Sequence, residues 1–486
     1  MKLLKLLYLL PVTLLCCSCG DYLNKLPENK VATSTVDYTD LSNLYAPVSG
    51  VYAKIRTDAA HWIIWGSTII RDDDVAIGKT GDQTYLDAID QSYGYDASFW
   101  GLNTAWNNYY GVIQVANGAL ESLDNYAENI TSTTDKENYL SYCGEVRFLR
   151  AYAYYRLVQL FGPVTILRTN DQSNMTRTTV ESVYNYALED LEYAYENLPK
   201  ERPNEMAHSG AVTAYTAEML MAKIYLNEGN YTKVQSLTQD IIDSNKFSLY
   251  DDYYELFKIP GKLCNESLFE YQATDFGNSS GDVVNFDVWF PFQGPINTGI
   301  ISGWGFISPT KSFIDWAVKR GETVRATTTF LYTGQNTPSG DWINAATGNN
   351  PTCYNGKAYL PSSELTSGRT DYGCNNNIRV FRYAEVLLMN AEAKIRNGEN
   401  GDKEINLVRE RAKMSDLTNA TINDVLDERR MELGVEWGER FNDLVRTGQA
   451  ETVLGNLGYT SDKEYYPIPN AAIDISPELA NDPVSE

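Results

Sequence analysis

The chain has 486 residues, enough at roughly 150 residues per domain for about three ordinary domains or one large helical one. Lys+Arg number 40 against 64 Asp+Glu, a formal charge of −24 that repels phosphate backbones and argues against nucleic acid as a partner. Two histidines, His61 and His208, leave almost no material for His-based zinc sites or Ser-His-Asp triads, while 35 Tyr and 9 Trp call for a large packed core.

Lys2 and Lys5 open the chain and an apolar run over residues 6–15 follows. That run is too short for the ~20 residues of a membrane-spanning helix and reads as the h-region of a secretory signal peptide. Next comes Cys16-Cys17-Ser18-Cys19-Gly20-Asp21. A small-residue run ending in Cys after such a region looks like a bacterial lipobox. Cys19 is the expected lipidation point because the polar chain starts directly after it; Cys16 and Cys17 are alternatives, as is an ordinary signal peptide with chance cysteines. The expected organisation is a signal peptide at 1–18, a lipidated tether at 19–40 and a single domain over 41–486. Cys353 and Cys374 flank a Gly/Asn-rich loop and are disulfide candidates in an oxidising compartment, whereas Cys143 sits in a helical pattern and reads as buried.

Leu44, Val48, Val51, Tyr52 and Ile55 have helical spacing, after which residues 57–101 read as aromatic loops broken by Gly66, Gly78, Gly81 and Gly94. Helix then dominates 105–243. Trp106, Tyr109, Tyr110, Ile113, Ala116, Leu120 and Leu123 form one stripe, and a second over 146–160 stops at Gly162-Pro163. Further stripes cover 184–195, 214–225 and 234–242, closed in turn by Pro199, Gly229 and the end of the pattern. Residues 214–231 look like the helix–turn of a tetratricopeptide unit, and 383–408 like a second one. The scaffold is therefore expected over about 105–245 and 380–450, giving a mainly α fold. Between about 250 and 375 Gly, Asn, Pro, Ser and Thr dominate, helical periods vanish, and Trp289, Trp304, Trp316 and Trp342 are concentrated. A loop-rich aromatic insert on a helical scaffold is where binding residues usually lie.

Several blocks occur in a telling order. They are Asp21-Tyr22-Leu23-Asn24-Lys25-Leu26-Pro27 after the lipobox, Gly144-Glu145-Val146-Arg147-Phe148-Leu149-Arg150-Ala151-Tyr152, and Leu160-Phe161-Gly162-Pro163-Val164. Arg382-Tyr383-Ala384-Glu385-Val386-Leu387-Leu388, Glu428-Arg429-Arg430-Met431-Glu432-Leu433, Arg440-Phe441-Asn442-Asp443-Leu444-Val445-Arg446 and Tyr466-Pro467-Ile468-Pro469 complete the set. Together they resemble the SusD/RagB family of outer-membrane nutrient-binding lipoproteins. The resemblance implies a SusD-like α-helical fold with tetratricopeptide-like helix pairs, a glycan ligand, and a TonB-dependent (SusC-like) outer-membrane transporter as partner. Gly210-Ala211-Val212-Thr213-Ala214 and an inserted Trp437 depart from the family pattern, both away from the expected ligand loops.

A flat aromatic ring stacks on the apolar C–H face of a sugar while amides and carboxylates take its hydroxyls. Trp100 and Asn103, three apart just before the first long helix, fit that need, and the resemblance places part of a glycan platform near them; core packing of Trp100 over Trp106 is the alternative. In Arg71-Asp72-Asp73-Asp74, Arg71 and Asp73 are candidates for hydroxyl recognition. The alternatives there are a solvated acidic loop or a structural Ca2+ site on hard carboxylate oxygens, although no spaced Asp-x-Asp-x-Asp-Gly loop is present. Trp289, Trp304 and Trp342 are further stacking candidates, Trp304 because Gly303 and Gly305 would let a ligand approach closely. The alternating charges of Glu428, Arg429, Arg430, Glu432, Glu436, Glu439, Arg440 and Asp443 are expected to brace the C-terminal helices rather than to form a catalytic carboxylate pair.

These readings point to a non-enzymatic, lipid-anchored cell-surface protein of the outer membrane that captures oligosaccharide and hands it to its transporter. No catalytic residue and no cofactor are expected. Oligopeptide capture, which some members of the family perform, and a glycoside hydrolase are the competing readings.

Overall fold

The computed structural model describes residues 36–273, 289–296, 303–348, 350–365 and 375–485. Lipidation at Cys19 and the Cys353–Cys374 pairing lie outside them, since Cys19 and Cys374 are not among the described residues. The first half runs α1 (Ala46–Lys54), α2 (Trp62–Ile69), β1 (Val75–Ile77), α3 (Thr84–Ser92), α4 (Trp100–Ala127), α5 (Thr133–Phe161), α6 (Val180–Asn197), α7 (Ala214–Asn227) and α8 (Tyr231–Asp243). Polar side chains start the long helices: Ser132, Thr179 and Asn230 each accept a backbone N–H of the first turn, and Thr213 and Thr216 cap one another's backbone. Each helix from α4 to α8 packs on the next, the expected tetratricopeptide-like pairing, and α1 lies on α4.

The second half runs β2 (Ser267–Tyr271), α9 (Trp289–Gln293), β3 (Ile307–Pro309), α10 (Lys311–Arg320), α11 (Val324–Thr329), β4 (Phe330–Tyr332), β5 (Gln335–Asn336), β6 (Trp342–Ile343), β7 (Cys353–Asn355) and β8 (Ile378–Arg382). It closes with α12 (Tyr383–Arg396), α13 (Asp402–Arg411), α14 (Ile422–Leu433), α15 (Glu439–Arg446), α16 (Ala450–Leu454) and α17 (Asn470–Ile475). The strands form antiparallel pairs only: β1 with β3, β2 with β8, β4 with β7 and β5 with β6. Helix α12 packs against α8, α13 and α14 and joins the C-terminal helices to the first array.

Two expectations need correction. Residues 57–101 are not loops throughout, because α2 passes straight through Gly66 and α3 follows. All of α2 from Ile63 to Ile69 is buried, so apolar residues surround the helix and no 3.6-residue stripe is visible in the sequence. Gly66 serves packing here: a Cβ on it would stand 3.0 Å from Cζ of Phe292. Nor is the insert free of helix. Thr310 caps α10, Phe313 and Ala317 face inward, and Gly321 ends the helix at φ +85°.

The alternating charges near the C-terminus are buried and paired. Arg382 bonds Glu266 and Glu432 through Nη1 at 2.6 and 2.9 Å and reaches Glu436 at 2.7 Å through Nη2. Arg411 bonds Glu266 and Glu432 as well, and Arg325, from the insert, bonds Glu322, Glu428 and Glu432. Burial alone would raise the pKa of Glu432, but Arg411, Arg382, Arg325 and Lys357 around it hold it far below the ordinary carboxylate range. These acids brace β2, β8, α13 and α14, as the sequence reading expects. No helix among the described residues is long and apolar enough to cross a membrane.

Candidate functional site

The half-buried to exposed aromatic residues converge where α2, α4 and the insert meet. His61 starts α2: its Nδ1 accepts the Ile63 N–H at 3.2 Å, and Trp62 is the first helical residue. Asn108 on α4 donates Nδ2 to the Asp58 carbonyl at 2.8 Å, which fixes α4 against the turn preceding α2. Trp62 and Trp100 therefore stand edge to face at 5.7 Å, and His61 meets Trp100 edge-on at 6.5 Å. Trp304 of the insert closes the group, 5.8 Å from Trp62 at 86°. Beneath lie Phe292, 4.9 Å from Trp62, and Phe306, stacked on Phe292 at 5.0 Å. Trp100 is 43% exposed, too open for a core residue. Asn103, one turn along α4 from Trp100, is half-buried, and its amide makes no side-chain hydrogen bond among the described residues.

Trp100, Asn103 and Trp304 are thus brought to one face. The glycines beside Trp304 serve the protein itself. A Cβ on Gly303 would lie 2.3 Å from the Gly294 carbonyl oxygen, and one on Gly305, at φ +68°, would meet Ile296 and Tyr354. They let the chain run against residues 291–295, where Trp304 N–H donates to Pro291 O and Gly305 N–H to Gly294 O.

The other predicted site residues are placed elsewhere. Trp289 is buried between Trp65 and Trp437, at 4.4 and 5.1 Å, and is core; a ring closed in on both sides has no face for a sugar. Arg71 is also buried, its guanidinium over the rings of Phe441 and Tyr466 at 4.2 and 5.0 Å, donating to the carbonyls of Glu464 and Gln159. Asp73 accepts from Arg430 and Arg440, both at 3.0 Å. Burial opposes its ionisation, but Arg440 and Arg430 hold its carboxyl below the usual range. Neither Arg71 nor Asp73 is directed at a ligand, because Arg71 is buried with both Nη atoms bonded inside the protein, only its Nε being unbonded, and Asp73 is held by two arginines. Asp74 is taken by Arg430 as well, and among the described residues no cluster of His, Cys, Asp and Glu is arranged to hold a metal ion. Trp342 is 52% exposed on the β5–β6 hairpin and makes no ring contact with the Trp62–Trp100–Trp304 group.

Trp62 is the functional candidate that sequence reasoning missed. Its signal was present in the pairing of a polar capping residue, His61, with an aromatic at the start of an apolar run.

Known proteins bear on this arrangement. A family model described as "SusD family" matches residues 316–484, and one described as "Starch-binding associating with outer membrane" matches residues 21–226. A SusD-like protein of Bacteroides ovatus is 24% identical over 472 residues, covering 90% of this chain and 81% of that protein. The SusD-like protein P2 of Formosa agariphila is 26% identical, covering 89% of each. Among solved structures, surface glycan-binding protein A from Bacteroides thetaiotaomicron, in complex with laminarihexaose, superposes with a TM-score of 0.75 at 23% identity, covering 90% of this chain and 98% of that one. The fold, the two matched segments and these full-length relatives agree: the chain belongs to the SusD/RagB family.

Proposed function

We propose that this protein is a non-enzymatic, lipid-anchored binder of neutral oligosaccharide at the outer-membrane surface, and that it passes its ligand to a TonB-dependent transporter. The convergence of Trp62, Trp100 and Trp304 from three separate parts of the chain carries this reading. Exposed indole faces accept the C–H face of a pyranose, and the unpaired Asn103 amide, one turn away, can take a ring hydroxyl. The laminarihexaose complex of the structural neighbour supports a glycan as the ligand class. The lipobox supports the anchor, and membership of the family supports the transporter. Glu428 and Glu432, two acids of the C-terminal charge cluster, are held in buried ion pairs, which supports binding without catalysis. The test is calorimetric titration with a panel of neutral polysaccharides, alongside an assay for released reducing sugar. Binding without release is expected. Failure to bind every neutral glycan, or capture of oligopeptides instead, would overturn the reading.

A further inference from the structure

We infer that a groove between the segment joining α5 to α6 and the extended segment before α17 is a second binding site, which takes an oxyanion carried on a sugar ring, a uronate or a sugar sulfate; the choice of a sugar as the carrier rests on the glycan reading above. The groove measures about 380 Å³, within the roughly 300–1,000 Å³ of small-molecule sites. Tyr95, Phe161, Pro163, Tyr465 and Pro467 wall it, and it shares no residue with the Trp62–Trp100–Trp304 face. Two cations, Arg177 and Lys463, border it against a single acid, Asp462, on a chain whose formal charge is −24.

Arg325, Arg382 and Arg446 are each answered by carboxylates, whereas Arg177 meets no acid among the described residues. A guanidinium carries five N–H donors. In Arg177 the Nη2 donates to the Asn481 carbonyl at 2.7 Å, the Nε is buried with no partner, and the Nη1 makes no hydrogen bond among the described residues. A buried N–H without an acceptor is rare in a folded protein, and the planar fork it belongs to matches the paired oxygens of a carboxylate or a sulfate. The backbone holds this residue in place. Its carbonyl accepts the Val484 N–H, and Thr178, the next residue, bridges Val164.

Lys463 supplies the second charge. Its Nζ stands 5.6 Å from the centre of the Tyr95 ring and 3.9 Å from Asp462, whose side chain is 75% exposed, so that ion pair is weak. The segment bearing Lys463 is fixed: Tyr95 Oη donates to the Lys463 carbonyl, Tyr466 N–H to the Leu160 carbonyl and Tyr466 Oη to the Ser67 carbonyl. Tyr465 lies against Gly162, where a Cβ would stand 2.7 Å from the ring. The half-buried rings of Tyr95 and Tyr465 and the two prolines offer apolar surface to the C–H groups of a pyranose, while the cations take its acid group.

The experiment uses the soluble chain and calorimetry, with glucuronic acid, glucose 6-sulfate, glucose and inorganic sulfate as probes. At least one acidic sugar should bind about tenfold more tightly than glucose and than inorganic sulfate, and added salt should weaken it. Which of the two binds tells carboxylate from sulfate. Arg177→Gln should lower that affinity about tenfold and Lys463→Gln by a smaller factor, with circular dichroism unaltered, and Trp100→Ala should leave it unchanged. Equal binding of glucose, inorganic sulfate binding as tightly as the acidic sugar, or full binding by both the Arg177 and the Lys463 variants would overturn the site. Acidic sugars that fail with a protein still binding a neutral polysaccharide would overturn the groove and leave the glycan reading intact. Acidic sugars held through Arg177 by a protein that takes no neutral polysaccharide would sustain the groove and overturn that reading.

Discussion

Arg430 grips Asp74 side-on, its Nε 3.0 and 2.9 Å from the two carboxylate oxygens, and so ties α14 to the loop after α2 across 356 residues of sequence. The same guanidinium bonds Asp73 and lies 4.6 Å from the ring of Trp316. Arg430→Ala would strand a fully buried Asp74 beside Asp72 and Asp73, whose repulsion its cation now offsets. The expected cost is about 3–5 kcal/mol of folding stability, read by urea denaturation. A loss below ~1 kcal/mol, the level of an exposed pair, would show that the pair is not the strut described.

Replacing Trp100 by Ala should weaken glycan binding by about 1–3 kcal/mol, by analogy with base–aromatic stacking. The exposure of Trp100 makes this variant safe for the fold, whereas Trp62→Ala would also disturb Phe292. Replacing the buried Glu432 by Gln alters no group at the aromatic face and should leave affinity unchanged in whatever fraction folds.

Affinity for a neutral glycan should be flat between low and physiological salt, since screening acts on long-range Coulomb terms. A steep fall with salt would point instead to a charged ligand such as a peptide. The comparison needs only one titration series at each ionic strength.

Glu218, on α7, is 1% exposed and neither of its carboxylate oxygens has a close partner. Burial, with repulsion from Asp240, pushes its pKa up to about 8. A raised carboxylate favours folding fully below the ordinary value, and that contribution is lost as pH climbs towards 8. Stability should therefore decline from pH 5 to pH 8 by on the order of 1–3 kcal/mol on account of this group. Glu218→Gln should flatten the decline and raise the melting temperature at pH 8. At the acid end the sign reverses. Despite burial, Arg429 and Arg446 draw Asp443 down to about 2, so its contribution persists above the ordinary value and fails only as pH falls towards 2.

Cys19→Ala should release the protein from the outer-membrane fraction while leaving it exported and folded. Retention with Cys16 and Cys17 intact would move the anchor to one of those residues. Fractionation followed by immunoblotting reads the outcome directly.

What was legible in the sequence follows from where the information sits. Helices α4, α6 and α8 carry clear amphipathic periods and α5 to α8 explicit caps, so local pattern locates each of them by one signal or both. Trp100 and Asn103 read from sequence as lying just before the first long helix, whereas the helix begins at Trp100 itself and leaves its ring exposed. Arg71-Asp72-Asp73-Asp74 misled because its partners Arg430 and Arg440 lie more than 350 residues away, and a charge run does not announce whether it is solvated or answered. Trp289 and Trp304 look alike in sequence; only the packing of Trp65 and Trp437 around the first separates core from surface. Gly303 and Gly305 signalled a close approach correctly, but the approaching group is the backbone of residue 294 and the side chains of Ile296 and Tyr354.

Strands β2 and β8 pair so that Tyr271 faces Ile378, and the whole of 272–377 leaves and re-enters the scaffold at adjacent points. A segment fastened in this way can change length without moving its roots, because the entropy of closing a loop grows only logarithmically with the number of residues in it. Arg325 and Lys357 plug its interior into the charged bundle at Glu428, Glu432 and Glu436, and β3 paired with β1 and Trp289 packed between Trp65 and Trp437 fasten it further, so an exchanged segment needs to keep these contacts. The fold is in this respect a cassette holder. Recognition surfaces can be swapped between related chains at the β2–β8 clasp as long as the incoming segment again answers the buried acids and fills the place of Trp289.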